Sequence, residues 1–417
     1  MQNEKPKRVL MVVENCPFLR DPRVQKEAKA LTAAGYRVTV ICPAENDEPR
    51  HDFIGDTSVY QFPVWPLTEG SLGYLLEYCY AMMALVVLSV WVWLHEGFNI
   101  IHVANPPDCM VPLFSVYRLI GKSVIYDQHD LCPELHAAKF GENRWLLRLL
   151  LLMERYSCRL ANQVIVTNES YKELSIRRGG VSASDVTVVR NGPDLQTVKP
   201  ETSVIDIDQE LRSKSSNIIA FAGVTGVQDG LDCLCRALHH LRYELWQENF
   251  YCIILGDGDG LSPMKALAEE LRVADKIWFA GWVRDPVAYA RYINTSDICV
   301  SPDPFNSYND ASTFVKIMEY MAAGKPVVAF DLQETRTSAG NAALYARVGD
   351  VGDFAQKIAS LLGQPELRDR MGQIGIVRVQ KELAWQYSIP KLLQVYERIG
   401  QPRLEAGPAP AYQKHSN

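Results

Sequence analysis

The sequence predicts an α/β protein built from two Rossmann-like units, each organised around a doubly wound parallel sheet. Three observations carry that expectation. Short apolar runs alternate with helix-period patterns along most of the chain. The alternation lapses into a polar, irregular stretch that ends near residue 217, and then restarts. The chain, at 417 residues, is also longer than one ordinary core organises.

The first unit opens on residues 8–13, a continuous apolar run of the kind a parallel strand shows when both its faces are buried. A helical pattern follows over 21–34, with Val24, Ala28 and Leu31 on one side, and Gly35 stops it. A second strand starts at Tyr36, which completes a strand–helix–strand unit. Further strands are expected at 100–103, 123–127 and 163–167. After the polar stretch, strands at 218–222, 251–255, 276–279, 298–301 and 327–330 alternate with helices. The expected division is therefore a first unit over 1–195 and a second over 196–384. A helix over 385–400 is expected to pack back toward the first unit, and the Pro- and Ala-rich tail 401–417 is expected to be disordered.

Composition narrows the function classes. Apolar residues make up 47% and charged residues 22%, which is ordinary for a globular chain. A net charge of −6 lacks the basic footprint of a nucleic-acid binder. The ten cysteines show no CxxC or Cys/His ligand spacing, so they read as reduced thiols of a cytoplasmic protein, with no metal site. The N-terminal apolar strand is too short, and too soon followed by charge, for a secretory signal.

Two stretches raise a membrane question. Residues 81–94 are uncharged and very apolar, yet shorter than the ~20 residues that span a bilayer. A buried or half-buried helix is the first expectation, and a membrane-dipping segment within 72–94 the second. Residues 143–160 form a Leu-rich helix carrying arginines at 144, 148, 155 and 159. Such a helix either packs with snorkelling arginines or lies on an anionic inner-membrane surface.

The segment from Asp310 to Pro326 carries the chemistry. Ser312 or Asp310 is expected to cap a helix running to Ala323, ended by Gly324-Lys-Pro326. Lys316, Glu319 and Ala323 share one narrow stripe of an otherwise apolar helix. A lysine in the first turn opposes the helix dipole unless an anion binds there. Lys316 therefore points to a diphosphate, and Glu319, one turn deeper, to a ribose diol. An internal Lys–Glu pair is the alternative. Asp21 and Arg23 follow the first strand at the carboxyl edge, where open α/β sheets bind ligands. Arg23 either orients a phosphate there or pairs with Glu27 along its helix.

From about residue 8 to 399 the chain resembles the retaining glycosyltransferases of family 4, which have the GT-B fold of two Rossmann-like domains facing each other across a cleft. Their second-domain motif reads Glu-x7-Glu and then Gly-x-Pro-Val-Val. Here Glu319 and Met321-Ala-Ala-Gly-Lys-Pro-Val-Val328 match its latter half. Asp21-x-Arg-Val-x-x-Glu-Ala28, Gly35-Tyr-x-Val38, Val188-x-x-Asn-Gly-Pro-Asp194, the Gly223 turn and Leu255-Gly-Asp-Gly258 match as well. The pattern around Asn309–Met321 is similar to a subgroup of bacterial surface-polysaccharide synthesis.

The resemblance implies a UDP- or GDP-sugar donor held by the second unit and a lipid-linked or saccharide acceptor held by the first. It implies retention of configuration without a metal or other cofactor, the donor phosphate taking the acceptor proton. His129, in Tyr126-Asp-Gln-His-Asp130, stands where the family places a histidine beside the donor sugar; a structural histidine is the alternative. Implied donor contacts are Gly223, Gly226, Gln228, Gly256, Ser312, Thr313, Lys316 and Glu319, with His129, Lys316 and Asp310 as catalytic groups. Two departures stand out. The first motif Glu falls at Ala311, leaving Asp310 to reach the same hydroxyls, and the family's basic pair falls near Val224 and Asp229. A catalytically silent transferase-like subunit and a sugar-nucleotide 2-epimerase are the competing readings. A peripheral position on the cytoplasmic membrane face is expected.

Overall fold

The computed structural model describes residues 7–45, 50–64, 71–141, 143–195, 208–226 and 229–399. Gln228, most of the expected linker and the tail 401–417 lie outside them. The chain divides into two compact units. The first comprises Met1–Cys132, Arg148–Val189 and Ile389–Asn417, the second Pro133–Leu147 and Arg190–Ser388.

The first unit contains an eight-stranded sheet of β1 (Arg8–Val12), β2 (Arg37–Pro43), β3 (His51–Ile54), β4 (Thr57–Phe62), β5 (Ile100–Ala104), β6 (Ser123–Gln128), β7 (Gln163–Val166) and β8 (Val186–Val188). Its order is β3-β4-β2-β1-β5-β6-β7-β8. All neighbours run parallel except β3 and β4, an antiparallel hairpin at the edge. The hairpin turns at Gly55, whose positive φ suits a tight turn. Helix Pro22–Ala33 begins as the sequence predicts. The Asp21 carboxylate accepts from the backbone N–H of Arg23 and Val24, each at 3.0 Å, and Pro22 takes the first helical position.

The second unit contains β9 (Ile218–Ala222), β10 (Tyr251–Leu255), β11 (Ile277–Gly281), β12 (Ile298–Ser301), β13 (Val327–Phe330) and β14 (Ala343–Ala346), ordered β11-β10-β9-β12-β13-β14. Every pairing is parallel. The order reverses direction between β9 and β12, the switch point at which such sheets bind ligands. Ile219, Phe221, Ile254, Val300 and Val328 face one buried helix layer; Ala220, Ile253, Cys299 and Val327 face the other. Burial on both faces is what makes these strands read as unbroken apolar runs.

One expectation changes substantially. The apolar stretch 81–94 is part of a much longer helix, Ser71–His95, of 25 residues. Among its described residues one stripe is buried: Gly73, Ala81, Leu85, Ser89 and Val92. Met83, Val87, Val90, Trp91 and Leu94 are exposed on the other side. The helix is apolar on both faces, so apolarity alone could not locate the inner one. It is long and apolar enough by composition to cross a membrane, but its inner stripe is already committed to protein.

This asymmetry predicts unequal costs for truncation along one helix. Leu85→Ala should lower unfolding free energy by about 2–5 kcal/mol, whereas Met83→Ala should change it by less than about 0.5 kcal/mol. Urea denaturation of the two variants measures the difference, and similar costs would contradict the assigned faces.

Candidate active site

At the carboxyl edge of the second sheet, two strand-end loops and the end of β11 are pressed together. Gly223 follows β9 and Gly256 follows β10. A Cβ on Gly256 would sit 1.8 Å from the Gly223 carbonyl oxygen, and its φ of +151° already disfavours other residues. The Gly223 N–H donates to Leu255 O at 3.0 Å, and the Gly256 N–H to Gly281 O at 2.8 Å. Backbone, rather than side chains, therefore forms the floor of this edge.

Lys316 stands beside that floor. A Cβ built on Gly223 would lie 3.8 Å from Lys316 Nζ. The ammonium lies over the rings of Phe221 and Phe314, 4.7 Å and 5.1 Å from their centroids. It donates to Asp303 Oδ1 at 2.8 Å. Asp303 is buried and also accepts from the Ser301 hydroxyl. Glu319 does not pair with Lys316; its Oε2 accepts from the Tyr289 hydroxyl at 2.9 Å. The internal Lys–Glu pair considered from sequence is thus replaced by two separate partners.

The expected single helix from 310–312 to 323 is broken. A short helix, Ser307–Ala311, ends at Ser312, which is extended with φ −89° and ψ 137°. The Ser312 hydroxyl turns back to donate to Tyr308 O at 2.7 Å. A second helix, Val315–Ala322, starts from Phe314 with no side-chain cap. Neither Ser312 nor Asp310 caps it. Asp310 instead accepts from the Gln333 N–H at 2.8 Å, fixing the start of the next helix. Thr313 lies in the extended connection and is half-buried.

Where the family's basic pair is expected, the loop turns on an acid. Asp229 Oδ2 accepts from the Gly226 N–H at 2.8 Å. Burial pushes the Asp229 carboxyl up to about 6, with Asp303 adding to the rise and Lys316 opposing it. Val224 is exposed. Lys316 is the basic side chain at this edge that the sequence singled out, and Asp303 and Tyr289 are the partners it did not reveal.

The first unit gathers a second polar cluster at the carboxyl edge of its own sheet. Arg23 is buried and chelates Asp127, Nε to Oδ2 at 2.8 Å and Nη2 to Oδ1 at 2.6 Å. It also lies 3.1 Å from Glu27 and donates to Val189 O at 3.1 Å. These bonds correct the phosphate-orienting assignment of Asp21 and Arg23. Asp21 is the helix cap, and Arg23 takes the internal pairing with Glu27. His102 Nε2 lies 3.3 Å from Glu27, and its Nδ1 is 2.7 Å from the Tyr396 hydroxyl of helix Ile389–Arg398. Burial pushes the Asp127 carboxyl up, but Arg23 and the neighbouring imidazoles of His102 and His129 outweigh it and hold Asp127 well below the carboxylate range. Burial pushes the Glu27 carboxyl up to about 7, with repulsion from Asp127 adding to the rise. Glu27, His102 and Asp127 converge closely enough to ligate a cation, but the guanidinium of Arg23 already supplies the positive charge there.

His129 stands one residue beyond β6, with Nδ1 3.5 Å from Asp127 Oδ2. Its backbone N–H donates to Asn105 Oδ1 at 2.9 Å. Burial alone would lower its pKa; the adjacent Asp127 carboxylate outweighs it and raises the imidazole to about 8.

Two family models match the chain: Glycosyltransferase Family 4 over residues 23–197 and Glycosyl transferases group 1 over residues 216–364. The chain belongs to glycosyltransferase family 4. Among curated relatives, it is 24% identical to a D-inositol 3-phosphate glycosyltransferase of Thermomonospora curvata over 66% of each chain. That alignment covers just under two thirds of the relative, and others cover 41% to 47% of theirs. Among solved structures, a sucrose-phosphate synthase from Thermosynechococcus elongatus superposes with a TM-score of 0.74 at 17% identity, over 94% of this chain and 98% of that one. Anabaena HepE in complex with UDP and glucose gives a TM-score of 0.70 at 15% identity, over 94% and 100%. These likenesses show the two-domain, Rossmann-like GT-B fold.

The raised pKa of His129 predicts a pH-dependent contribution to stability. Asp127 stabilises the imidazolium fully below the ordinary histidine value, and that contribution is lost as pH rises through about 8. His129→Gln should therefore destabilise by about 1–2 kcal/mol more near pH 6 than near pH 9. Urea melts of both proteins at the two pH values test this; an equal difference at both would refute the assignment.

Proposed function

We propose that the chain transfers a sugar from a uridine or guanosine diphosphate sugar to a lipid-linked or saccharide acceptor, retaining anomeric configuration and requiring no metal. The observation that carries this reading is Lys316, placed in the first turn of helix Val315–Ala322 beside the Gly223 loop. An ammonium, a helix N-terminus without a side-chain cap and a backbone floor at a sheet switch point together suit a diphosphate. We assign Glu319, oriented by Tyr289, to the ribose diol. Gly223, Gly226 and Gly256 let the donor approach the backbone, and Ser312, Thr313 and Asp310 are the polar groups offered to the sugar. His129, protonated up to about 8, is assigned to a sugar oxygen of the donor.

Chemically, the ammonium and the helix dipole stabilise the leaving diphosphate, so no protein nucleophile is required. Retention and metal independence rest on the family pattern. Asp229 in place of a basic residue, and Asp303 already on Lys316, are the features that favour the silent-subunit alternative. Donor binding decides between the two. Saturating UDP- or GDP-sugar should raise Tm, and excess EDTA should leave turnover unchanged. Lys316→Ala should weaken donor binding at least about tenfold, about 1.4 kcal/mol, while keeping the native melting transition. Absence of stabilisation by every nucleotide sugar would leave the silent-subunit reading standing.

The lipid-linked acceptor class is supported by helix Ser71–His95. Its inner stripe is held by the protein and its outer stripe, including Val87, Trp91 and Leu94, is exposed. We assign it to lie on a membrane surface rather than to cross one. Helix Arg144–Leu160, with Leu149, Leu152 and Tyr156 exposed among its arginines, suits an anionic cytoplasmic face. The free thiols, Cys79 and Cys109 exposed among them, support a reducing compartment. The protein should cosediment with vesicles containing anionic phospholipid, and Val87→Asp with Leu94→Asp should reduce the bound fraction at least about tenfold. Unchanged cosedimentation of that double variant would remove the helix from the membrane contact.

A further inference from the structure

A cavity of about 300 Å³ opens at the carboxyl edge of the first sheet. Its walls come from the ends of three parallel strands and from the start of helix Ser71–His95. Glu14 lies two residues beyond β1, Pro43 ends β2 and Phe62 ends β4, while Glu77, Tyr78 and Tyr80 come from the helix. The size is at the lower end of the range for small-ligand sites, about 300–1,000 Å³. Among the described lining residues none is basic.

The chemistry of these walls is specific. Two carboxyl groups sit close enough to influence each other: burial, and then the charge of Glu77, push Glu14 up to about 7. Near neutral pH the pair therefore offers both a hydrogen-bond donor and a hydrogen-bond acceptor, the combination that vicinal hydroxyls satisfy. Tyr78, Tyr80 and Phe62 supply aromatic surface for the C–H faces of a pyranose ring. A phosphorylated ligand would bring a dianion against acidic walls in a partly desolvated cavity, with no lining cation to neutralise it.

We propose that this cavity seats the acceptor sugar and selects an uncharged saccharide against its phosphorylated counterpart, through Glu14 and Glu77. The proposal rests on the transferase reading and adds the charge class of the acceptor, together with the residues that set it. Glu14 and Glu77 are specificity-determining groups here and take no part in holding the donor.

The test uses the full chain and simple probes: methyl glycosides of glucose, galactose, mannose and N-acetylglucosamine, each beside its 6-phosphate. Competition-mode saturation-transfer NMR gives relative affinities, and UDP and GDP binding is measured in parallel. At least one neutral glycoside should bind, with its 6-phosphate at least about tenfold weaker. Glu14→Gln combined with Glu77→Gln should bring the two within about threefold of each other. Glu77→Gln alone, at a half-buried helix position, should narrow the ratio in the same direction if the double variant fails to fold. A 6-phosphate that binds as tightly as its neutral partner, a ratio unmoved by the variants, or no neutral binding while nucleotide still binds would each overturn the proposal. Loss of both UDP and GDP binding would strike the transferase reading itself, which separates the two failures.

Discussion

The buried guanidinium of Arg23 is the interaction on which the first unit's ligand edge depends. It joins three separate pieces of chain: its own helix, β6 through Asp127, and the residue after β8 through Val189 O. Through Asp127 it reaches His129 at the strand end, and His102, whose other nitrogen meets Tyr396. Helix Ile389–Arg398 is therefore docked by the same cluster that orients the candidate catalytic histidine. Buried ion pairs contribute little net stability when compared with well-packed apolar replacements. Their effect is positional. Here Asp127, fixed by Arg23, is the carboxylate against which the His129 ring sits.

The second unit fixes its ligand edge by different means. Its loops are held by backbone contact so close that Gly256 tolerates no side chain, and one lysine stands over them. The first edge is a charge network with the backbone behind it. The second is a backbone surface with the Lys316 ammonium beside it. The difference fits the proposed division between a unit that would seat a neutral acceptor and one that would hold an anionic donor.

Much of this was legible in the sequence, and the reasons are physical. Parallel strands buried on both faces give unbroken apolar runs, so β1, β2, β5, β6, β7, β9, β10, β12 and β13 stand out. The β3–β4 hairpin did not, because β3 is largely exposed and its residues lack an apolar run; the Ile54-Gly-Asp-Thr57 turn was the available signal. Lys316 and Glu319 were found from their stripe. Their partners were not, because Asp303 and Tyr289 meet them only through tertiary packing, although Asp303 follows a strand at a ligand edge. The break at Ser312 was hidden by apolar periodicity that continues through it. Arg23 was legible as a residue of interest, but not its destination. Two of its partners, Asp127 and Val189, lie more than a hundred positions away.

The Lys316–Asp303 pair has a further consequence for the proposed transferase. The ammonium is already neutralised before any ligand arrives. Under the proposed donor assignment, a diphosphate would gain only the difference between its own attraction and that of the carboxylate it displaces. The spent nucleoside diphosphate carries the same group as the donor, so Asp303 competes for the lysine again once transfer is complete. Under that assignment the pair would weaken the hold on donor and product together, and would favour rapid clearance of the site over tight capture.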